Sequence, residues 1–155
     1  MKRFFPLLFW ALAAGCATSG EAGRVGVLVM AHGGEPEWNR LASEAAASLA
    51  KEYPTEIAFG MARADTLQKA VMRLEKRHVR RIAVVRLFLS GKSFLGRTEK
   101  ILGAVPGASE RPAHWEHHGH GDHAMMDPRT MPLWRVKTNS EFVITREGLL
   151  DGPTG

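Results

Sequence analysis

Residues 25–34 read VGVLVMAHGG. Its first seven residues form a continuous apolar run, and His32, Gly33 and Gly34 end it. A short apolar run without polar alternation that stops at glycines is typical of a strand buried on both faces of a parallel sheet. The sequence therefore predicts a buried first strand over 25–31, with a glycine loop at its carboxyl end.

Helical and strand patterns alternate after this loop. Apolar side chains at Trp38, Leu41 and Ala45 recur at helical spacing, and Asp65 with Gln68 forms a capping-box pattern. The predicted elements are a helix over 36–53, a strand over 55–60 (TEIAFG), a helix beginning near residue 65, a strand over 82–89 (IAVVRLFL) and a helix over 94–102. This β-α-β-α-β-α order predicts an α/β fold, a three-layer parallel sheet of about four strands with flanking helices.

Glycine-containing loops follow both the first and the third predicted strands. In open parallel sheets, ligands bind outside the carboxyl ends of the strands. His32 and the loop 90–93 (SGKS) are therefore expected on the same rim of the sheet.

The first fifteen residues have the composition of an export signal. Lys2 and Arg3 precede an apolar run over 4–14, whose helical rise of about 16 Å is short for a bilayer core of about 30 Å. The sequence AAGC at 13–16 resembles the lipobox of bacterial lipoproteins, with Cys16 as the lipidated first residue of the mature chain. We therefore expect an exported protein anchored in the membrane through lipid on the periplasmic side. The alternatives are an ordinary signal peptide and a cytoplasmic protein.

The remaining chain is expected to divide into four parts. Residues 16–23 form a tether, 24–103 the α/β domain, 104–140 a flexible loop, and 141–155 a last strand (EFVIT) followed by a short end. No helical pattern follows that strand, so the sequence has the organisation of one half of a larger unit.

His32 and Glu35 are the candidate catalytic residues. A neutral imidazole at a strand end can ligate a metal ion or accept a proton near neutral pH, and the Glu35 carboxylate offers an oxygen ligand or a second base. Gly33 and Gly34 allow the tight turn and close approach of a bulky ligand.

A histidine cluster marks the loop 104–140. Five of the seven histidines in the chain lie within residues 114–123, interleaved with acids, and such residues suit divalent transition metals. With His32, the candidate metal ligands are His114, His117, His118, His120 and His123.

Charge and motifs exclude several classes of function. The net charge of +5 is modest and does not argue for a nucleic-acid partner. One cysteine excludes an internal disulfide or a CxxC zinc site within one chain. The sequence contains no P-loop, GxSxG or HExxH motif. We expect no organic cofactor. Residues 62–101 hold 11 Lys+Arg against 3 acids, a local charge of +8, which can attract a polyanion or form a solvated face. Arg86 interrupts a buried strand, so it either needs a partner there or lies near the exposed end of the strand.

The stretch 25–34 and the later RRIAVVRLFLSGKSFLGRTEKILG, residues 80–103, together resemble the CbiX-type sirohydrochlorin chelatases, a family of class II tetrapyrrole chelatases. The resemblance implies a chelatase-like half domain that inserts a divalent metal (cobalt, nickel or iron), its substrate, into a tetrapyrrole. The candidate substrate contacts are Gly33, Gly34, Arg86, Ser90, Gly91 and Lys92.

Three departures from the family pattern separate two hypotheses. The loop 90–93 lacks the second histidine that the family often has, Arg86 stands where a proline is usual, and only one of the family's two domains is present. A chelatase would therefore need a homodimer or a second chelatase domain. The alternative is a non-catalytic, membrane-tethered metal-binding lipoprotein on a chelatase scaffold.

Overall fold

A computed structural model describes residues 24–115 and 130–151. Within these ranges, strands and helices alternate along the chain. They are β1 (Arg24–Ala31), α1 (Pro36–Ala47), a short 3-10 turn (Leu49–Lys51), β2 (Thr55–Phe59), α2 (Ala64–Lys76), β3 (Val79–Leu87), α3 (Leu95–Leu102) and β4 (Glu141–Ile144).

The four strands form one sheet in the order β2-β1-β3-β4. All neighbouring strands are parallel, and Val29 of β1 pairs with Ile57 on one side and Val85 on the other. β4 extends the sheet by pairing Phe142 with Ile82. The predicted α/β fold is confirmed, and the carboxyl ends of all four strands lie at one edge of the sheet.

The main core lies on the face that α2 and α3 cover. Leu28 and Ile82 from the strands meet Leu67 of α2 and Ile101 of α3 there, and all four side chains are almost fully buried. The opposite face carries a smaller cluster of Val27, Val29 and Ala46. Apolar burial of this kind is the main stabilising term of the fold, and most of it lies on one side of the sheet.

Helix α1 covers its face only in part. It ends at Ala47, earlier than the predicted residue 53, and Ala46 is its only buried residue. Trp38 is 42% exposed and Leu41 51% exposed, so the apolar stripe that predicts this helix remains largely at the surface. Val143 of β4 lies in register with Ala83 and Val27 on this face and is 66% exposed.

The segment predicted as a flexible loop contributes to the core in the parts that the structure describes. Trp115 and Trp134 are buried and pack edge to face, with ring centroids 5.6 Å apart. The Gln68 side chain accepts a bond from the Lys137 amide nitrogen at 2.7 Å and donates to its carbonyl oxygen at 2.9 Å. Apolar burial and these bonds attach residues 130–140 to α2.

The predicted capping box is wrong. Helix α2 begins at Ala64 without a side-chain cap, because Gln68 binds Lys137 and Asp65 pairs with Arg63. The Asp65 Oδ2 and Arg63 Nη2 atoms are 2.7 Å apart, and both side chains are buried. Burial alone would raise the pKa of Asp65, but the hydrogen bond and the charge of Arg63 outweigh it and lower the pKa.

Several sequence predictions fall outside the described residues. Residues 1–23, with Cys16 and the export signal, and residues 116–129, with His117, His118, His120 and His123, are among them. Across residues 24–115 and 130–151, we find no helix with the length and apolar character needed to span a membrane.

The buried pair gives a pH-dependent stability prediction. Asp65→Asn should lower the free energy of unfolding by about 2–3 kcal/mol at pH 7, because Arg63 loses its buried counter-charge. An Asp pKa lowered by folding stabilises above the ordinary value of 3.8, and this stabilisation is lost as the pH falls through the folded value. Urea unfolding at pH 7 and at about pH 3 should therefore show wild type and variant converging in acid. An equal difference at both pH values would contradict this assignment.

Candidate functional site

A cavity of about 580 Å³ opens at the carboxyl edge of the sheet. The loop after β1, the start of α1, the end of β3 and the segment after β4 together form its walls. The lining residues are His32, Gly33, Gly34, Glu35, Trp38, Leu87, Phe88, Leu89, Ser93, Phe94 and Leu149.

His32 stands directly after β1 with its imidazole exposed. Its Nδ1 lies 2.9 Å from the Gly33 carbonyl oxygen. A carbonyl oxygen can only accept a hydrogen bond, so Nδ1 carries the proton in this contact. In the neutral form of this tautomer, Nε2 keeps its lone pair and is the atom able to ligate a metal ion or accept a proton.

The glycine loop is held by a side chain that the sequence analysis did not single out. Asn39 accepts a hydrogen bond from the Gly34 amide nitrogen at 3.0 Å and donates one to the Gly34 carbonyl oxygen at 2.9 Å. Gly33 has a φ of +79°, and a side chain there would also meet Phe59. Asn39 therefore acts as a positioning residue for the loop that carries His32. An asparagine shortly after a glycine pair is the only sequence feature that points to it.

The first turn of α1 forms one wall of the cavity. Pro36 begins the helix, with Glu35 at the cap position and its carboxylate exposed. The Trp38 ring meets Phe59 edge to face, with centroids 6.4 Å apart. Trp38 thus belongs to the site, although its spacing in the sequence indicates a helix face packed on the core.

Arg86 is buried beneath the opposite wall and is only 3% exposed. Its Nη1 donates to the carbonyl oxygens of Gly91 at 2.9 Å and Thr145 at 3.3 Å, and its Nη2 donates to that of Ser93. No hydrogen-bond partner of its Nε is found among the described residues. Burial lowers the pKa of Arg86, while the charges of Glu99 and Asp151 act in the opposite direction. Through these hydrogen bonds the guanidinium holds the backbone of the loop 90–93 in place. It also lies 5.6 Å from the centre of the Phe88 ring.

The segment after β4 packs on the same loop. Leu149 and Leu150 donate backbone hydrogen bonds to the carbonyls of Phe88 and Leu89 at 2.9 and 3.0 Å. The Asp151 carboxylate accepts from the Gly91 amide nitrogen at 2.6 Å. These contacts bring Leu149 into the cavity wall, although the sequence pattern marks this segment only as a short end.

The structure brings together one part of the predicted site. His32, Gly33, Gly34 and Glu35 all line the cavity. The other four predicted substrate contacts lie outside the lining: Arg86, Ser90, Gly91 and Lys92. From this part of the chain, Ser93 and Phe94 line the cavity instead. His114 is exposed and also lies outside it. Within the described ranges, no group of three or more His, Cys, Asp or Glu side chains is placed to hold a metal ion.

Comparison with known proteins confirms the resemblance. Residues 26–99 match the family model CbiX, which describes the sirohydrochlorin chelatase family. The match runs from β1 into α3 and includes His32 and the loop 90–93. No curated protein matches the chain, and no solved structure matches it.

Two glycines provide a matched test of the cavity wall. A Cβ at Gly91 would clash with the Arg146 carbonyl oxygen and the Asp151 carboxylate, whereas one at Gly96 meets nothing within 4 Å. Gly91→Ala should lower the free energy of unfolding by about 1–3 kcal/mol. Gly96→Ala, within α3, should leave it unchanged or raise it by up to about 1 kcal/mol. Thermal unfolding of both variants measures this, and equal effects would show that segment 146–151 does not pack on the loop.

Proposed function

We propose, from the match of residues 26–99 to the CbiX family model, that the protein inserts a divalent metal ion into a tetrapyrrole bound at the His32 cavity. Cobalt, nickel and iron are the proposed metals, each acting as a substrate. The observation that supports this site best is the His32 contact with Gly33, which leaves the lone pair of Nε2 available beside an apolar cavity.

The lining residues suit the steps of metal insertion. A free tetrapyrrole must release one pyrrolic proton for each positive charge that the entering metal brings. His32 Nε2 would hold the incoming ion or accept such a proton, and the Glu35 carboxylate would accept a second proton or pass it to solvent. The apolar walls would hold the flat ring while these two groups act at its centre or edge.

We propose that a second copy of the chain, or a second chelatase domain, completes the cleft. Trp38 and Leu41 on α1, with Val143 on β4, leave apolar surface exposed on the side of the sheet that α1 covers only in part. Such surface marks association sites in soluble proteins. Sedimentation of the full chain with a tetrapyrrole should show a dimer. A monomer that still inserts metal would contradict this part of the proposal.

The second candidate is a non-catalytic metal-binding lipoprotein. The cavity supplies one histidine and one carboxylate among its described residues, while five histidines lie in residues 114–123. If the protein has this function, deletion of residues 114–123 should abolish the binding of cobalt or nickel, which calorimetry measures. Retained binding that is lost in a His32 variant would favour the chelatase.

Cys16 is the residue on which the predicted membrane anchoring depends. We propose that Cys16 carries the lipid that anchors the mature chain on the periplasmic side. Cys16→Ser should move the protein from the membrane to the soluble fraction and remove the lipid mass from the mature N-terminus. An unchanged distribution, with residues 1–15 retained, would indicate a cytoplasmic protein instead.

A histidine comparison tests the catalytic role. Insertion of cobalt into a tetrapyrrole, followed by absorbance, should slow at least about a hundredfold in His32→Asn, the scale of losing a general base or an orienting ligand. His78→Asn is the matched control, since His78 is exposed after α2 with a φ of 62°, a conformation that asparagine tolerates. Equal rates in the two variants would remove His32 from the mechanism.

A further inference from the structure

The cavity is lined mainly by large apolar side chains. Six of its residues are of this kind: Trp38, Leu87, Phe88, Leu89, Phe94 and Leu149. Its polar side chains are those of His32, Glu35 and Ser93, and no lysine or arginine is among the described residues that line it. Such walls favour contact with the face and apolar substituents of a flat ring.

The arginines near the cavity are engaged elsewhere. Arg86 donates to backbone carbonyls beneath the loop 90–93. Arg97 does the same toward Ala62 and Pro132, at 2.8 and 2.7 Å. Both side chains are therefore oriented toward the protein's own backbone. The basic composition of residues 62–101 does not form an anion-binding wall at this cavity.

Other cations of the same segment pair with acids of the chain. Arg63 pairs with Asp65 in the interior, and Arg73 and Arg77 reach Glu56 at 2.6 and 3.4 Å. The exposed Arg80 and Arg81 belong to the amino-terminal end of β3, at the edge of the sheet opposite the cavity. Lys92 is exposed and lies outside the lining.

Charge at the cavity bears on which tetrapyrroles can enter. A carboxylate pressed against apolar walls loses hydration without gaining a partner, and the Glu35 carboxylate repels it further when ionised. A ring with carboxylates on every side must place some of them against these walls. A ring with two carboxylates on one side can leave both in solvent and present its apolar edge to the cavity.

We propose that this protein selects tetrapyrroles with few carboxylates, and that the apolar wall at Leu89 contributes to the selection. The inference rests on the proposed function for the existence of a tetrapyrrole site. It narrows that function by naming the class of tetrapyrrole that the cavity accepts.

The test compares two porphyrins on the full chain. Deuteroporphyrin, a dicarboxylate, and uroporphyrin, an octacarboxylate, are titrated at one salt concentration, and binding is followed by the absorbance of the porphyrin. Deuteroporphyrin should bind at least about tenfold more tightly, the ratio expected when a single carboxylate is left without a partner.

Two charge substitutions distinguish the effect of a cation at the cavity wall from the effect of a change in overall charge. Leu89 is 67% exposed and lines the cavity, whereas Leu150 is 63% exposed and does not. Leu89→Lys should reduce the preference for the dicarboxylate by about threefold or more, by placing a cation at the wall. Leu150→Lys adds the same charge and should change the preference by less than about twofold.

The porphyrin titrations have four informative results. Tighter binding of deuteroporphyrin, with the preference reduced only in Leu89→Lys, supports the inference. Equal or tighter binding of uroporphyrin overturns it while leaving the tetrapyrrole site in place. Equal effects of the two lysines overturn the role of the wall. Binding of neither porphyrin overturns this inference together with the proposed function.

Discussion

The buried guanidinium of Arg86 is the interaction on which the site depends. It binds the carbonyl oxygens of Gly91, Ser93 and Thr145, and so joins the end of β3, the loop 90–93 and the end of β4. A hydrogen bond donated by a buried charge is stronger than a neutral one, and its loss leaves several carbonyls without a partner. The loop can therefore hold Ser93 and Phe94 at the cavity, and segment 146–151 can pack against the loop from outside.

This arrangement separates the cavity into two chemically different parts. Along one side, the glycine loop held by Asn39 presents His32 and Glu35, which would supply the proton and metal chemistry of the proposed function. Along the other, Phe88, Phe94 and Leu149 supply apolar contact and no titratable group. A flat ring that enters between them would meet its base on one side and its binding surface on the other. On the proposed function, this division would let a small α/β domain position a large ring with few polar contacts.

The sequence predicted β1 and β3 well because these strands consist largely of apolar residues, a pattern typical of strands buried in a parallel sheet. It also placed His32 and the end of β3 on one edge, since that follows from parallel topology alone. It did not predict the direction of individual side chains. Arg86 was expected to contact the substrate and turns inward to backbone carbonyls, while Trp38 was expected to pack on the core and lines the cavity. Long-range contacts such as those of Asp151 with Gly91 leave no local pattern in a sequence.

The proposed function requires His32 Nε2 to lie close enough to the bound ring to hold the incoming metal ion. Electron paramagnetic resonance of cobalt(II) deuteroporphyrin bound to the full chain tests this directly, because one axial imidazole nitrogen splits the cobalt signal into triplets. We expect these triplets in the wild-type protein and their loss in His32→Asn while the porphyrin stays bound. A spectrum without axial nitrogen in the wild type, or triplets that persist in the variant, would contradict it.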